Sequence, residues 1–249
     1  MRALRILLIL VVILGGLFTA ADRAAVYFVE GEIADRVKSS QGLSSTPEVS
    51  IKGFPFLTQV LATSLDEVDI SLDGVSASAD GHAVQVTEVK AELRDVKFNS
   101  SFSAATAARA TGSARISYAD LAKSAPKGST IGYAGAERAA KGQVKLTGRL
   151  ADVLEGAGVS VPDPVKALLG DKTASAYSTV SLVNGDTVRL RSADLPTVPI
   201  PGLEDQIRDA VDYDLKIDGL PSTIKLDQVT ATEDGLRFSG AGTNVSLAG

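Results

Sequence analysis

The chain has no cysteine and no tryptophan, a single histidine, and aromatic residues at only 5% of its 249 positions. Each shortage removes a class of chemistry. Without cysteine there is no disulfide, no thiol nucleophile and no lipid-modified cysteine, so the fold depends on packing alone. One histidine, His82, cannot assemble the common zinc sites. It follows Asp80-Gly81, a turn signal, and reads as an exposed hairpin residue. Surfaces that stack sugars or bases rely on aromatic platforms that are scarce here. The serine-hydrolase elbow, the Walker loop and the dinucleotide glycine fingerprint are all missing. The net charge is −5, and no cluster of lysines and arginines interrupts it. That excludes nucleic acid as a partner and argues against polybasic adhesion to anionic lipid. Asp212 and Asp214 resemble a glycosidase pair in type, but alternation puts both on the solvent face of a strand, where they read as a solvated edge. The residues therefore point to no catalytic group, no metal ligand and no cofactor.

What is present begins at the N-terminus. Arg2 and Arg5 precede an uncharged run from Ile6 to Ala21, and charge returns at Asp22. A basic start, an apolar stretch and small residues at Thr19, Ala20 and Ala21 fit a secretory signal cleaved after Ala21. Counted from Ala3, the stretch also meets the minimum for a membrane span, about 17 residues. The basic flank would then hold the N-terminus inside. Residues 1–21 are thus a signal peptide or a membrane anchor, and either reading exports residues 22–249. Hydrophobic residues make up 45% of the chain, which excludes disorder.

Beyond the apolar run, Val26, Val29, Ile33 and Val37 recur at helical spacing over residues 22–39, with Asp22, Arg23, Glu30 and Glu32 on other faces. Gly42 and Pro47 are expected to end that helix. From about Glu48 the period changes to two. Val68, Ile70 and Leu72 alternate with charged or polar residues, and residues 82–98 do so with two phase slips that read as β-bulges. Ala108, Ala110, Ala114 and Ile116 suggest another strand; so do Val144, Leu146 and Leu150. Val180 and Leu182 approach an Asn184-Gly185 turn that Val188 and Leu190 leave, a strong hairpin signal. Tyr213, Leu215 and Ile217 alternate likewise, and Ile224, Leu226, Leu236 and Phe238 flank a turn at Asp234-Gly235. Short helices are expected after the capping pattern Ser117 to Asp120, after Asp163-Pro164 up to Gly170, and over Leu203, Ile207, Ala210 and Val211, following Pro199-Ile200-Pro201. The class is α+β with a dominant antiparallel sheet, and with no long linker to divide it residues 22–249 read as a single domain.

The aliphatic faces of these strands suit either an ordinary core or a slot for acyl chains. One segment, Ile51-Lys52-Gly53-Phe54-Pro55-Phe56-Leu57-Thr58-Gln59, concentrates two of the seven phenylalanines around a proline, behind a glycine. It reads either as a buried turn whose rings close the core or as an apolar lip at a cavity mouth. The exported N-terminus ending Ala21-Asp22-Arg23, Gly42-Leu43, this phenylalanine segment, the Ile116 to Leu121 junction, Gly219-Leu220-Pro221 and Asp234-Gly235-Leu236 together resemble the LmeA-type family of actinobacterial envelope proteins. The resemblance implies a tubular lipid-binding fold like that of bactericidal/permeability-increasing protein, a long bent antiparallel sheet wrapped around helix. It also implies phospholipid binding linked to elongation of lipid-anchored mannan in the envelope. Phe54, Phe56 and Leu57 are then the candidate lipid-binding residues.

The leading expectation is a non-enzymatic phospholipid-binding or lipid-transfer protein on the outer side of the plasma membrane. Each CH₂ buried contributes about 0.8 kcal/mol, so an aliphatic slot holds a lipid without basic residues. The alternative is a ligand-free accessory scaffold for an envelope glycosyltransferase. Export predicts that an alkaline phosphatase fusion after residue 45 is active in cells. An inactive fusion, together with an active cytoplasmic reporter at the same position, would contradict it.

Overall fold

A computed structural model of the protein describes residues 2–41, 43–79, 82–99, 104–123, 125, 128–156, 160–171, 173–196, 203–217 and 224–247. The expectations placed on Gly42, Asp80-Gly81, Pro199-Ile200-Pro201 and Gly219-Leu220-Pro221 fall outside the described residues, as does the side chain of His82. The first element is one unbroken helix, α1 (Arg2–Gln41). Its first half has its large apolar side chains, Leu4 to Phe18, exposed, and by length and composition it is able to cross a membrane. Past Ala21 the expected stripe forms: Val26 is buried, and Val29, Ile33 and Val37 are half-buried.

Strand β1 (Glu48–Lys52) follows, then the short helix α2 (Phe56–Leu61) and the long strands β2 (Ser64–Ala79), β3 (His82–Phe98) and β4 (Ala105–Ser117). Alternation fixes the register, because a slip of one residue would turn every apolar side chain to the wrong face. In the antiparallel β1–β2 pair, Val49 faces Ile70 and Ile51 faces Val68. A phase slip expected in β3 is present: Leu93 and Val96, three apart, are both buried. Asp95 between them adopts a left-handed φ of 52°, the irregularity that lets an odd spacing share a face. In β4 the buried alanines are Ala107 and Ala110, rather than a face containing Ala108 and Ala110. Consecutive alanines carry no phase of their own, so tertiary packing sets it.

Helix α3 (Tyr118–Leu121) begins where the capping pattern placed it. Ser117 Oγ accepts the Asp120 amide at 3.1 Å and donates to the Asp120 carboxylate at 2.6 Å. The chain continues through β5 (Ser129–Tyr133), α4 (Ala136–Ala139), β6 (Gln143–Arg149), α5 (Leu150–Gly156), α6 (Asp163–Leu169), β7 (Thr173–Val183), β8 (Thr187–Asp194), α7 (Leu203–Val211), β9 (Tyr213–Lys216), β10 (Ile224–Thr232) and β11 (Gly235–Ser246). Leu150 opens α5 instead of extending β6, and Pro162 takes the cap position of α6 with Asp163 in its first turn. The β7–β8 hairpin turns on Asn184 and Gly185 at φ 58° and 78°, the two left-handed residues of a type I′ turn.

The strands form two sheets, ordered β1-β2-β3-β4-β11-β10 and β5-β6-β7-β8-β9. The described registers are antiparallel, so the α+β class with a leading apolar helix is the architecture found. The chain divides into two compact units. One comprises Met1–Asp73, Lys90–Thr111 and Gly242–Gly249. The other comprises Gly74–Val89 and Gly112–Ala241, and its core gathers Leu121, Ile131, Val144, Leu146, Val180, Val188, Leu190, Leu236 and Phe238. A smaller cluster there joins Leu154, Val161, Leu169 and Ile207.

The β10–β11 turn is fixed by close packing. Thr232 Oγ donates to the Gly235 carbonyl at 2.8 Å and the Tyr118 hydroxyl donates to the Thr232 carbonyl at 2.7 Å. Burial pushes the Tyr118 phenol up to about 12, so it stays a donor at neutral pH. Gly235 sits at φ 150°, and a Cβ there would collide with the Ile116 carbonyl. Gly235→Ala is expected to lose about 1–3 kcal/mol, read as a lower urea midpoint. Gly132→Ala, at a glycine with open space around its Cβ position, should stay within about 0.5 kcal/mol. Equal midpoints for the two variants would contradict this.

Candidate functional site

The phenylalanine segment forms a corner between β1 and α2, and α1 holds it. Gly53 leaves β1 at φ 92° and a cis peptide joins Phe54 to Pro55. The turn points the two rings in different directions: Phe54 is 58% exposed and Phe56 is 2% exposed. Leu57 is half-buried. The three candidate residues are adjacent in space but not equivalent, since one ring meets solvent and the other fills core.

The first amides of a helix need acceptors, and a short helix headed by a proline has none of its own. Pro55 makes no side-chain cap to α2. The acceptor comes from another helix: Asp22, 0% exposed, takes the Leu57 amide on Oδ1 at 2.9 Å. Its Oδ2 accepts from the Arg23 guanidinium at 2.6 Å. Burial by itself would push this carboxyl up, but hydrogen bonds from the Leu57 amide, Arg23 and the Phe56 amide together hold it below the usual carboxylate value. It is therefore an ionised group in the interior with its lone pairs occupied, the condition under which buried charge is tolerated.

Arg23 extends the same contact outward. Its guanidinium also reaches the Gly53 carbonyl at 3.3 Å and lies 5.5 Å from the centroid of the Phe54 ring, a cation–π pairing. Two further side chains brace the corner. Glu30 accepts the Ile51 amide at 2.7 Å. Buried Gln59 accepts the Asp66 amide at 2.8 Å and donates to the Lys52 carbonyl at 3.3 Å.

Sequence reasoning placed Asp22 and Glu30 on the polar faces of a helix, and their roles differ from that. Both serve backbone amides of other elements. A signal for Asp22 did exist, a single acid at the first position past an apolar run. What the spacing could not disclose was its partner, thirty-five residues away.

Other groups offer less. Asp214 is exposed and paired with Arg189 at 2.7 Å and Arg191 at 2.9 Å; the Arg189 hydrogen bond holds its carboxyl below the usual value. Asp212 is half-buried and accepts the Ser192 amide, so it is a structural acceptor rather than a solvated edge. Glu67, Asp69 and Glu92 bring carboxylate oxygens within 4.8 Å of one another. Arg94 sits against Glu67 and Glu92, and Lys52 lies 3.4 Å from Asp69, so the cluster's charge is met by side-chain cations. In the second unit an apolar cavity of about 30 Å³, lined by residues including Leu146, Leu150, Val153, Ile207 and Val211, has room for a water or two. An acyl chain does not fit it. A surface groove of about 370 Å³ runs along Arg149, Asp152, Lys166 and Asp171, and Arg149 is paired there with Asp152 and Asp171.

Comparison with known proteins supplies what geometry leaves open. No curated protein and no solved structure matches the chain. The profile of a family described as LmeA-like phospholipid-binding matches residues 20–241, from the end of the apolar run through the Phe54 corner and both sheets into β11, and on that match the chain belongs to the LmeA-like phospholipid-binding family.

Proposed function

We propose that the protein is a non-enzymatic phospholipid-binding or lipid-transfer protein of the cell envelope. Residues 22–249 act as one lipid-binding domain, and residues 1–21 carry it to the outer side of the plasma membrane. The observation that carries this reading is the family match over residues 20–241. The Phe54 corner supports a site within it. Phe54 offers an exposed ring to lipid, Leu57 lies beside it, and buried Phe56 seats the corner. A role in elongating lipid-anchored mannan, with an envelope glycosyltransferase as partner in an actinobacterial host, extends the reading and is carried by the family resemblance alone.

A second reading is a scaffold without ligand; among the described residues, one apolar cavity of the second unit, at about 30 Å³, is too small for an acyl chain. Organic extraction of the purified full-length protein separates the two. Phospholipid at near-equal molar amount supports the carrier, and a lipid-free protein supports the scaffold.

The site itself is tested by Phe54→Ala and Phe56→Ala. Removing the exposed Phe54 ring should cost about 1 kcal/mol or less and lower the copurified lipid. Removing the buried Phe56 ring should cost about 3–5 kcal/mol, read as a urea midpoint. A Phe54→Ala protein that keeps its full lipid complement would show that the corner is not the contact.

A further inference from the structure

We infer that the Arg23–Phe54 corner is a membrane-interface contact. In this arrangement residues 1–21 remain attached as a span, Phe54 rests in the headgroup layer of the bilayer that α1 leaves, and Tyr27 stands at that layer's outer edge. This rests on the reading of Phe54 as a lipid contact and adds where that contact is made.

Helix geometry sets the depth. Residues 3–21 rise 1.5 Å each, so they cover about 28 Å, close to the roughly 30 Å of a bilayer's hydrocarbon core. Helix α1 runs through Ala21-Asp22 without a break. Arg23 and Tyr27 therefore lie about 3 and 9 Å past the apolar run, within and at the outer edge of a headgroup layer about 5–8 Å thick. Phe54 is tied to that level by three contacts: the Leu57 amide on Asp22, the Gly53 carbonyl on Arg23, and the ring beside the guanidinium. An arginine just past an apolar run can keep its stem and a neighbouring ring in the apolar edge while its charged head reaches the phosphates.

The exposed aromatics choose the occupant. Tyr27 is 81% exposed, and Phe28 is also exposed. Tyr27 stands one turn after Arg23, on the same side of α1, and Phe28 is about 100° further round the helix. On the side opposite the buried stripe of Val26 and Ala34, this exposed face continues directly from the apolar cylinder of residues 4–18, which is bare all round and matches a surrounding lipid surface. A protein partner would cover one side.

Because the chain has no tryptophan, a single substitution makes a reporter. The full-length chain carrying Phe54→Trp, Tyr27→Trp or Arg36→Trp is reconstituted in vesicles of phosphatidylglycerol and phosphatidylcholine in equal amounts, with bromine placed either high on the acyl chain or near the bilayer centre. Residue 36 lies about 22 Å past Ala21. Tryptophan at 54 should emit to the blue of the aqueous maximum and lose most of its emission to the high bromines, with less loss to the deep ones, and tryptophan at 27, further out, should be quenched less than that at 54. Tryptophan at 36 should emit as in water and keep its intensity. Aqueous emission at 54, or a native mass showing a chain that starts at Asp22, overturns the inference. If emission at 54 is aqueous but Phe54→Ala still loses copurified lipid, the lipid contact stands and its placement at the membrane fails. If tryptophan 54 is quenched while Phe54→Ala keeps its lipid, the interface stands and the binding-site reading fails.

Discussion

A single buried carboxylate joins the two features that define this protein. Asp22 is fully enclosed, and it accepts the first amides of α2 while Arg23 neutralises it. Leaving those amides unpaired in the interior would cost about 1–3 kcal/mol each, and leaving the carboxylate unpaired would cost more. The contact thus ties the start of α2 and the Phe54 corner to α1 at the end of its apolar run.

The periodic elements were legible from the residues. The stripe Val26, Val29, Ile33 and Val37 marked the helix face, the Asn184-Gly185 pair marked a type I′ hairpin, and Ser117 with Asp120 marked the start of α3. Each of these depends on neighbours a few positions away, which is what pattern reasoning reads. The phase of β4 was not legible, because alanines at consecutive positions fit either face. Helix α2 was missed as well. It is six residues long, too short to show a period, and its cap comes from thirty-five residues upstream.

The candidate site shows the same division. The phenylalanine segment stood out by composition, and it does form the corner. Composition could not assign one ring to solvent and the other to core; that follows from the left-handed turn at Gly53 and the packing of α2. Asp212 and Asp214 differ for a comparable reason. Alternation gave them the same face, yet Asp212 precedes β9 and takes a backbone amide of β8, while Asp214 lies within the strand and pairs with two arginines. A backbone contact thus occupies Asp212 and two ion pairs occupy Asp214, while large apolar side chains stand exposed along residues 4–18 of α1 and at Phe54.

Photolabelling tests the central claim most directly. The full-length protein in vesicles that contain a phospholipid with a photoreactive group near its glycerol end is irradiated, digested and mapped. Label is expected on the peptide that carries Gly53 to Leu57, and it should disappear from that peptide in Asp22→Ala, where α2 loses its acceptor. Label found on other peptides and absent from this one would contradict the placement of the lipid contact at the Phe54 corner.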